Sequence, residues 1–200
     1  MAGVHAIFPQ PVPYLDHSGM LASFPKANFF MTSWGMERYL EDGRGFVRDA
    51  LLLRRAPLLI ENRAELRPGT ARYGLLLAQD RALIERFYQP YWGPVRIAGV
   101  RLDVAAGAAM LVELPFPGEW RLRSTQPFSI DGRRVAPGEV FRVDAAAAAT
   151  AGGFPTVSVV LPDKDSAATP PKAAQFSVIW AGAGAPPPGP VPHPILYDRL

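Results

Sequence analysis

Histidine, the side chain best suited to moving protons near neutral pH, occurs only at positions 5, 17 and 193. All three lie in proline-rich ends, and no two have the spacing of a metal-ligand pair. Asp16-His17-Ser18 holds the residue types of a catalytic triad. Neighbours in sequence do not adopt triad geometry, however, because the three side chains must converge from separate segments. Gly43-Arg44-Gly45 lacks the further glycine and the lysine of a phosphate-cradling loop. The chain has no cysteine, which excludes disulfides, zinc-thiolate sites and cysteine nucleophiles. The paired carboxylates of a glycoside hydrolase meet only in a fold, and spacing singles out no Asp or Glu. No catalytic residue, metal ligand or cofactor is therefore expected, and the chain is not expected to catalyse on its own.

Two sets of residues have the types needed for binding. Arg121, Arg123, Arg134 and Arg142 alternate with apolar residues and would share the outer face of a β unit. Such a face is either a solvated surface that resists edge-to-edge aggregation or a patch facing phosphate or carboxylate, since guanidinium forks suit those anions. Glu113, Glu119 and Glu139 lie near enough in sequence to neutralise it. The second set is Tyr88, Tyr91, Trp92 and Trp120. These rings either pack in the core or form a platform for a sugar ring or a partner. Phe24, Phe29, Phe30 and Trp34 pose a related question, because an irregular segment this aromatic must pack on this chain or on a partner.

The elements that would position these side chains follow from periodicity. In Glu119-Trp120-Arg121-Leu122-Arg123, Trp120 and Leu122 point one way and the arginines the other. Phe128-Ser129-Ile130 runs into Asp131-Gly132, a pair suited to a type I′ hairpin that sets Phe128 opposite Val135 and Ser129 opposite Arg134. Pro137-Gly138 supplies a second turn, of type II. Trp120, Leu122, Phe128, Ile130, Val135, Phe141 and Val143 form the dry face. Further strands are expected at Pro57–Ile60, Val95–Val104, Met110–Leu114, Thr156–Leu161 and Gln175–Trp180.

Helices are expected from Ser33 or Trp34 to Glu41, ending near Gly43, and from about Gly45 to Arg55, with Phe46, Ala50, Leu51 and Leu53 near one side. A third would run from an Asp80 N-cap to about Gln89, ending at Pro90. Residues 1–30 read as extended, since Pro9, Pro11, Pro13 and Pro25 oppose helix. The expectation is a mainly β chain with α. A small antiparallel β-sandwich or jelly-roll-like domain of six to eight strands (93–182) follows an αβ extension (31–92) and precedes a Pro-rich tail (183–200).

Composition sets the remaining bounds. The hydrophobic fraction of 48% with 20% charged residues is that of a globular chain, and 22 prolines and 18 glycines favour short strands and loops over long helices. A net charge of +3 without any run of five like charges argues against nucleic acid as a partner. The N-terminal stretch has no basic region before its apolar residues and does not read as a signal peptide. The uncharged runs 145–162 and 173–197 are broken by glycine and proline and do not read as membrane spans.

One resemblance bears on function. The run Tyr14-Leu15-Asp16-His17-Ser18-Gly19-Met20-Leu21-Ala22-Ser23-Phe24-Pro25-Lys26-Ala27-Asn28-Phe29-Phe30-Met31-Thr32 resembles an extracytoplasmic segment of bacterial polytopic membrane glycosyltransferases. Those enzymes are of the protein-mannosyltransferase-like type and use lipid-linked sugars. Phe87-Tyr88-Gln89-Pro90-Tyr91-Trp92-Gly93-Pro94-Val95, with Gly118-Glu119-Trp120 and Ile130-Asp131-Gly132, is similar to the soluble C-terminal β domain that follows their last spans. The similarity covers residues 14–182, and its motifs are largely turn signals. This sequence has neither their spans nor a counterpart of their catalytic carboxylate.

The resemblance implies a non-catalytic periplasmic domain at the inner membrane. Its partners would be the enzyme's membrane core or lipid head groups, with a substrate-positioning or docking role. An independent carbohydrate- or ligand-binding β-sandwich is the alternative, and a hydrolase with dispersed carboxylates ranks last.

Overall fold

The computed structural model describes residues 2–144, 153–162 and 173–189. The polar loop expected over 163–172, the start of the run 145–162, His193 and the tail beyond 189 lie outside the described residues. In chain order the elements are α1 (Ala2–Ile7), β1 (Tyr14–Leu15), α2 (Ser33–Asp42), α3 (Val47–Leu52), β2 (Leu58–Ile60) and 3-10 turns at Ala64–Leu66 and Ala71–Leu75. There follow α4 (Ala78–Phe87), β3 (Tyr88–Trp92), β4 (Val95–Ala105), β5 (Ala109–Glu113), β6 (Gly118–Leu122), β7 (Phe128–Ile130), β8 (Arg133–Val135), β9 (Val140–Val143), β10 (Thr156–Val160) and β11 (Ala173–Trp180). The chain is mainly β with short helices, as its alternation and turn residues require. Its described residues divide into two compact units. Those up to Ala98, with those from Gly182 onward, form one, and Gly99–Ala181 belong to the other.

The second unit is sandwich-like. The C-terminal part of β4 pairs with β11, β11 with β6, and β6 with β9, all antiparallel. A second sheet has the order β5-β10-β7-β8. Phe128 of β7 meets Phe176 of β11 edge to face at 5.2 Å, so the two sheets join through aromatic packing. The expected dry face is buried in full, from Trp120 and Leu122 to Phe141 and Val143. The hairpin also has the expected register, with Phe128 opposite Val135 and Ser129 opposite Arg134. Asp131 and Gly132 take positive φ values of 50° and 80°, as a type I′ turn demands. The Pro137-Gly138 turn closes with Glu139 N donating to Ala136 O at 3.0 Å, and Gly138 has φ 82°.

The first unit holds the helices. The N-terminal part of β4 pairs with β2 and with β3, and β1 runs parallel to β2. Leu58, Leu59 and Ile60 are all buried, as a short core strand requires. Several sequence expectations change here. Residues 2–7 form a helix ahead of the first proline, so the prolines at 9–13 end it rather than prevent it. Leu53 lies beyond the end of α3 and is 74% exposed, whereas Ala50 and Leu51 are buried. The helix expected to reach Gln89 ends at Phe87, and Tyr88 is already extended, consistent with the bias against helix just before Pro90. Ala183 and Gly184 are anchored: Ala183 is buried and Gly184 N donates to Ile7 O at 2.8 Å.

Candidate functional site

The four arginines do not share a face. Arg121 lies on β6, followed directly by Arg123, and Arg142 lies on the neighbouring β9. Arg134 lies on β8, in the other sheet of the sandwich. The hairpin register placed Arg134 correctly relative to Ser129. It could not tell that the hairpin pairs through Ile130 with Val159 of β10 instead of extending the sheet of β6. Glu119 stands opposite Arg142 across the ladder, and Arg142 also pairs with Asp144 at 3.0 Å. Arg133 pairs with Glu139. All of these are exposed pairs, of the kind that contributes about 0–1 kcal/mol.

Of the two readings of the aromatic set, core packing holds for Trp120 and Tyr88. Trp120 and Tyr88 are fully buried and cannot stack on a ligand. Trp120 packs 5.3 Å from Phe116, and its Nε1 has no hydrogen-bond partner among the described residues. Tyr88 donates to Ala56 O at 2.8 Å, and burial raises its pKa. Tyr91 donates to Gly184 O, and the Trp92 ring lies so close to Gly3 that a Cβ there would be 2.2 Å from Cη2. Tyr91 and Trp92 thus fasten the segments at Gly184 and Gly3 to β3.

Asp16-His17-Ser18 is a polar knot centred on the buried Asp16 rather than a triad. Asp16 is fully buried and accepts hydrogen bonds from Gly19 N and Met20 N, both at 2.8 Å, and from Asn62 Nδ2 at 3.3 Å. Lys26 Nζ pairs with its carboxylate and also donates to Asp16 O and Asn28 Oδ1. Burial lowers the Lys26 pKa, and Asp16 opposes that shift. All three ammonium protons are engaged, so Lys26 is a clip and not a nucleophile. His17 N donates to Asn62 Oδ1 and His17 O accepts from Met31 N, both at 3.0 Å. Its ring Nδ1 is buried and has no hydrogen-bond partner among the described residues. The knot holds the segment that runs into Asn28, Phe29 and Phe30.

That segment forms one wall of a cleft of about 770 Å³ in the first unit. A second wall is α2, where Trp34, Arg38 and Asp42 recur at four-residue spacing and so share a face. Thr32 caps α2 by accepting from Gly35 N at 3.2 Å, and Gly43 ends it with φ 61°. Gly35 is required here, because a Cβ would lie 2.4 Å from Phe30 O. The third wall is the loop Arg44–Phe46 with Asp49, Leu53 and Arg54. Phe29, Tyr39 and Phe46 interlock at 5.5–5.7 Å between ring centroids and form the floor.

Asp80 locks this floor from behind. It is fully buried and accepts from Tyr39 OH at 2.8 Å, Phe46 N at 3.1 Å and Val47 N at 3.0 Å. Asp80 was expected to cap its own helix. It lies inside the first turn of α4 and caps α3 instead. Tyr39 OH in turn accepts from Leu77 N at 2.7 Å. Burial raises the pKa of both Tyr39 and Asp80.

The cleft rim is chemically distinct from the floor. Trp34 is 71% exposed and Phe30 60% exposed, and Arg38 lies over the Trp34 ring at 6.0 Å. Phe29, Phe30 and Trp34 stood out in the sequence as rings in need of a surface, but the cleft they border was not expected. Its one local signal is the Trp34–Arg38–Asp42 stripe. Among the described residues no group of three His, Asp or Glu side chains is placed to hold a metal ion. No described helix is long and apolar enough to cross a membrane. No protein-family model, curated protein or solved structure matches this chain.

Proposed function

We propose that the chain is a carbohydrate-binding module whose site is the cleft between Asn28–Phe30, α2 and the Arg44–Arg54 segment. The supporting observation is the pair of exposed rings, Trp34 and Phe30, on the rim of a cleft with polar walls. Large rings left in water forgo about 1.5–3 kcal/mol of burial each, and a sugar's CH face recovers that area while its hydroxyls meet Arg38, Asp42 and Arg54. Binding to a glycan array tests the reading. Trp34→Ala, with an unchanged circular dichroism spectrum, is expected to abolish it. An array on which the wild-type chain binds nothing refutes it.

The resemblance over residues 14–182 supports a setting beside a membrane glycosyltransferase on the periplasmic side of the inner membrane. The cleft, instead of an arginine face, is then the part that meets sugar. Co-purification of the tagged chain with a span-rich membrane protein supports this setting, and diffuse cytosolic distribution refutes it.

A further inference from the structure

We infer that the sugar taken by this cleft carries an anionic substituent, a carboxylate or a phosphate, held by Arg38 and Arg54. The inference rests on the carbohydrate reading above and adds the ligand's charge. Five charged side chains line the cleft: Arg38, Asp42, Arg44, Asp49 and Arg54. Arg44 and Asp49 neutralise each other at 3.0 Å. That leaves two guanidinium groups and one carboxylate, Asp42. Among the described residues neither Arg38 nor Arg54 is in an ion pair.

Position reinforces the charge count. Arg38 is one helical turn after Trp34 and lies over its ring. Its Cζ is 6.0 Å from the ring centroid, at the outer limit of a cation–π contact, and its planar N–H fork matches the two oxygens of a carboxylate or phosphate. A sugar ring at Trp34 therefore brings any acidic substituent to the Arg38 fork. Arg54 lines the wall supplied by the α3 segment, so the anion is approached from two segments. Asp42, one turn beyond Arg38 on the same stripe, can serve a ring hydroxyl and repels a second acidic group on that side. The expected ligand thus carries a single anionic group at the sugar contacted, not acidic groups on consecutive sugars.

The test is an array of neutral, uronic-acid-containing and phosphorylated oligosaccharides, probed with the full chain at low and high salt. Acidic members are expected to bind about tenfold or more tightly than their neutral counterparts, as one or two charge-assisted hydrogen bonds give. That advantage is expected to shrink with salt. Arg38→Gln and Arg54→Gln, each folded by circular dichroism, are expected to bring the acidic-to-neutral ratio toward one. Arg121→Gln on the second unit is expected to leave it unchanged.

The separate uronate and phosphate sets identify which anion is preferred. Equal binding of neutral and acidic members overturns this inference while leaving the carbohydrate reading intact. No binding to any member overturns the carbohydrate reading itself. Inorganic phosphate or an acidic peptide that binds as tightly as the acidic sugars also overturns the inference, because the sugar then contributes nothing.

Discussion

Replacing Asp80 by alanine should uncouple α3 from the floor of the cleft. Three donors lose the buried carboxylate that accepts from them: Tyr39 OH, Phe46 N and Val47 N. A buried donor left unpaired costs about 1–3 kcal/mol. Removing the carboxylate offsets part of the sum, because the burial that raises its pKa also makes its charge costly. The net expectation is a loss of about 3–5 kcal/mol, the range for deleting one member of a buried charged network.

Asp80→Asn keeps one oxygen but turns an NH2 group toward the remaining donors, so it should fall between wild type and Asp80→Ala. Urea unfolding measures the loss as a lower midpoint at unchanged slope. Amide hydrogen exchange locates it, with Phe46 and Val47 losing protection first. An Asp80→Ala chain within about 1 kcal/mol of wild type, or one whose Phe46 and Val47 amides stay protected, would show that Asp80 is not the cap described.

Two pH effects of opposite sign should coexist. Burial lowers the His17 pKa, with Arg63 and Lys26 acting in the same direction and Glu65 and Asp16 opposing. A depressed folded value means that His17 stabilises the fold above its unfolded value of about 6.5 and loses that contribution as pH falls through the folded value. His17→Gln should remove this acid-side loss from a urea series measured across pH. Asp80 has a raised folded pKa, so its contribution grows as pH falls through that value, and the gap to Asp80→Asn should widen in favour of wild type in mild acid. Gly35→Ala adds about 1 kcal/mol of helix propensity, but its Cβ meets a backbone oxygen at 2.4 Å. Backbone cannot yield cheaply, so thermal unfolding should show a net loss of about 1–3 kcal/mol. Asp131→Ala loses both the left-handed turn residue and the acceptor for Ser158 N at 2.7 Å. It should cost about 1–2 kcal/mol in urea unfolding, whereas Asp131→Asn, which tolerates the same φ, should cost less.

How legible each feature was in the sequence depends on how local its cause is. The 128–135 hairpin, its register and the turns at Asp131-Gly132 and Pro137-Gly138 rest on neighbouring residues and on period-two alternation. So does the dry face of the second unit. The extent of α2 was legible too, from a start at Ser33 or Trp34 and a stop near Gly43. Asp80 misled because a carboxylate at a helix start normally serves that helix. Only packing reveals that a different helix, 33 residues earlier at Val47, presents its N–H groups to the carboxylate.

The same division separates the arginines from the cleft. The sequence alone determined that Arg121, Arg123, Arg134 and Arg142 face outward, because alternation decides inside from outside. It also determined that Trp120 faces inward, and that no cysteine chemistry exists. Only tertiary structure decided which outward faces coincide, because strand pairing between distant segments carries no local signature. It put Arg134 in one sheet and Arg121 in the other, and it folded Asn28–Phe30 against α2 and the Arg44–Arg54 segment. Candidate binding residues were legible as types, whereas the candidate site is a juxtaposition that exists only once the chain has folded.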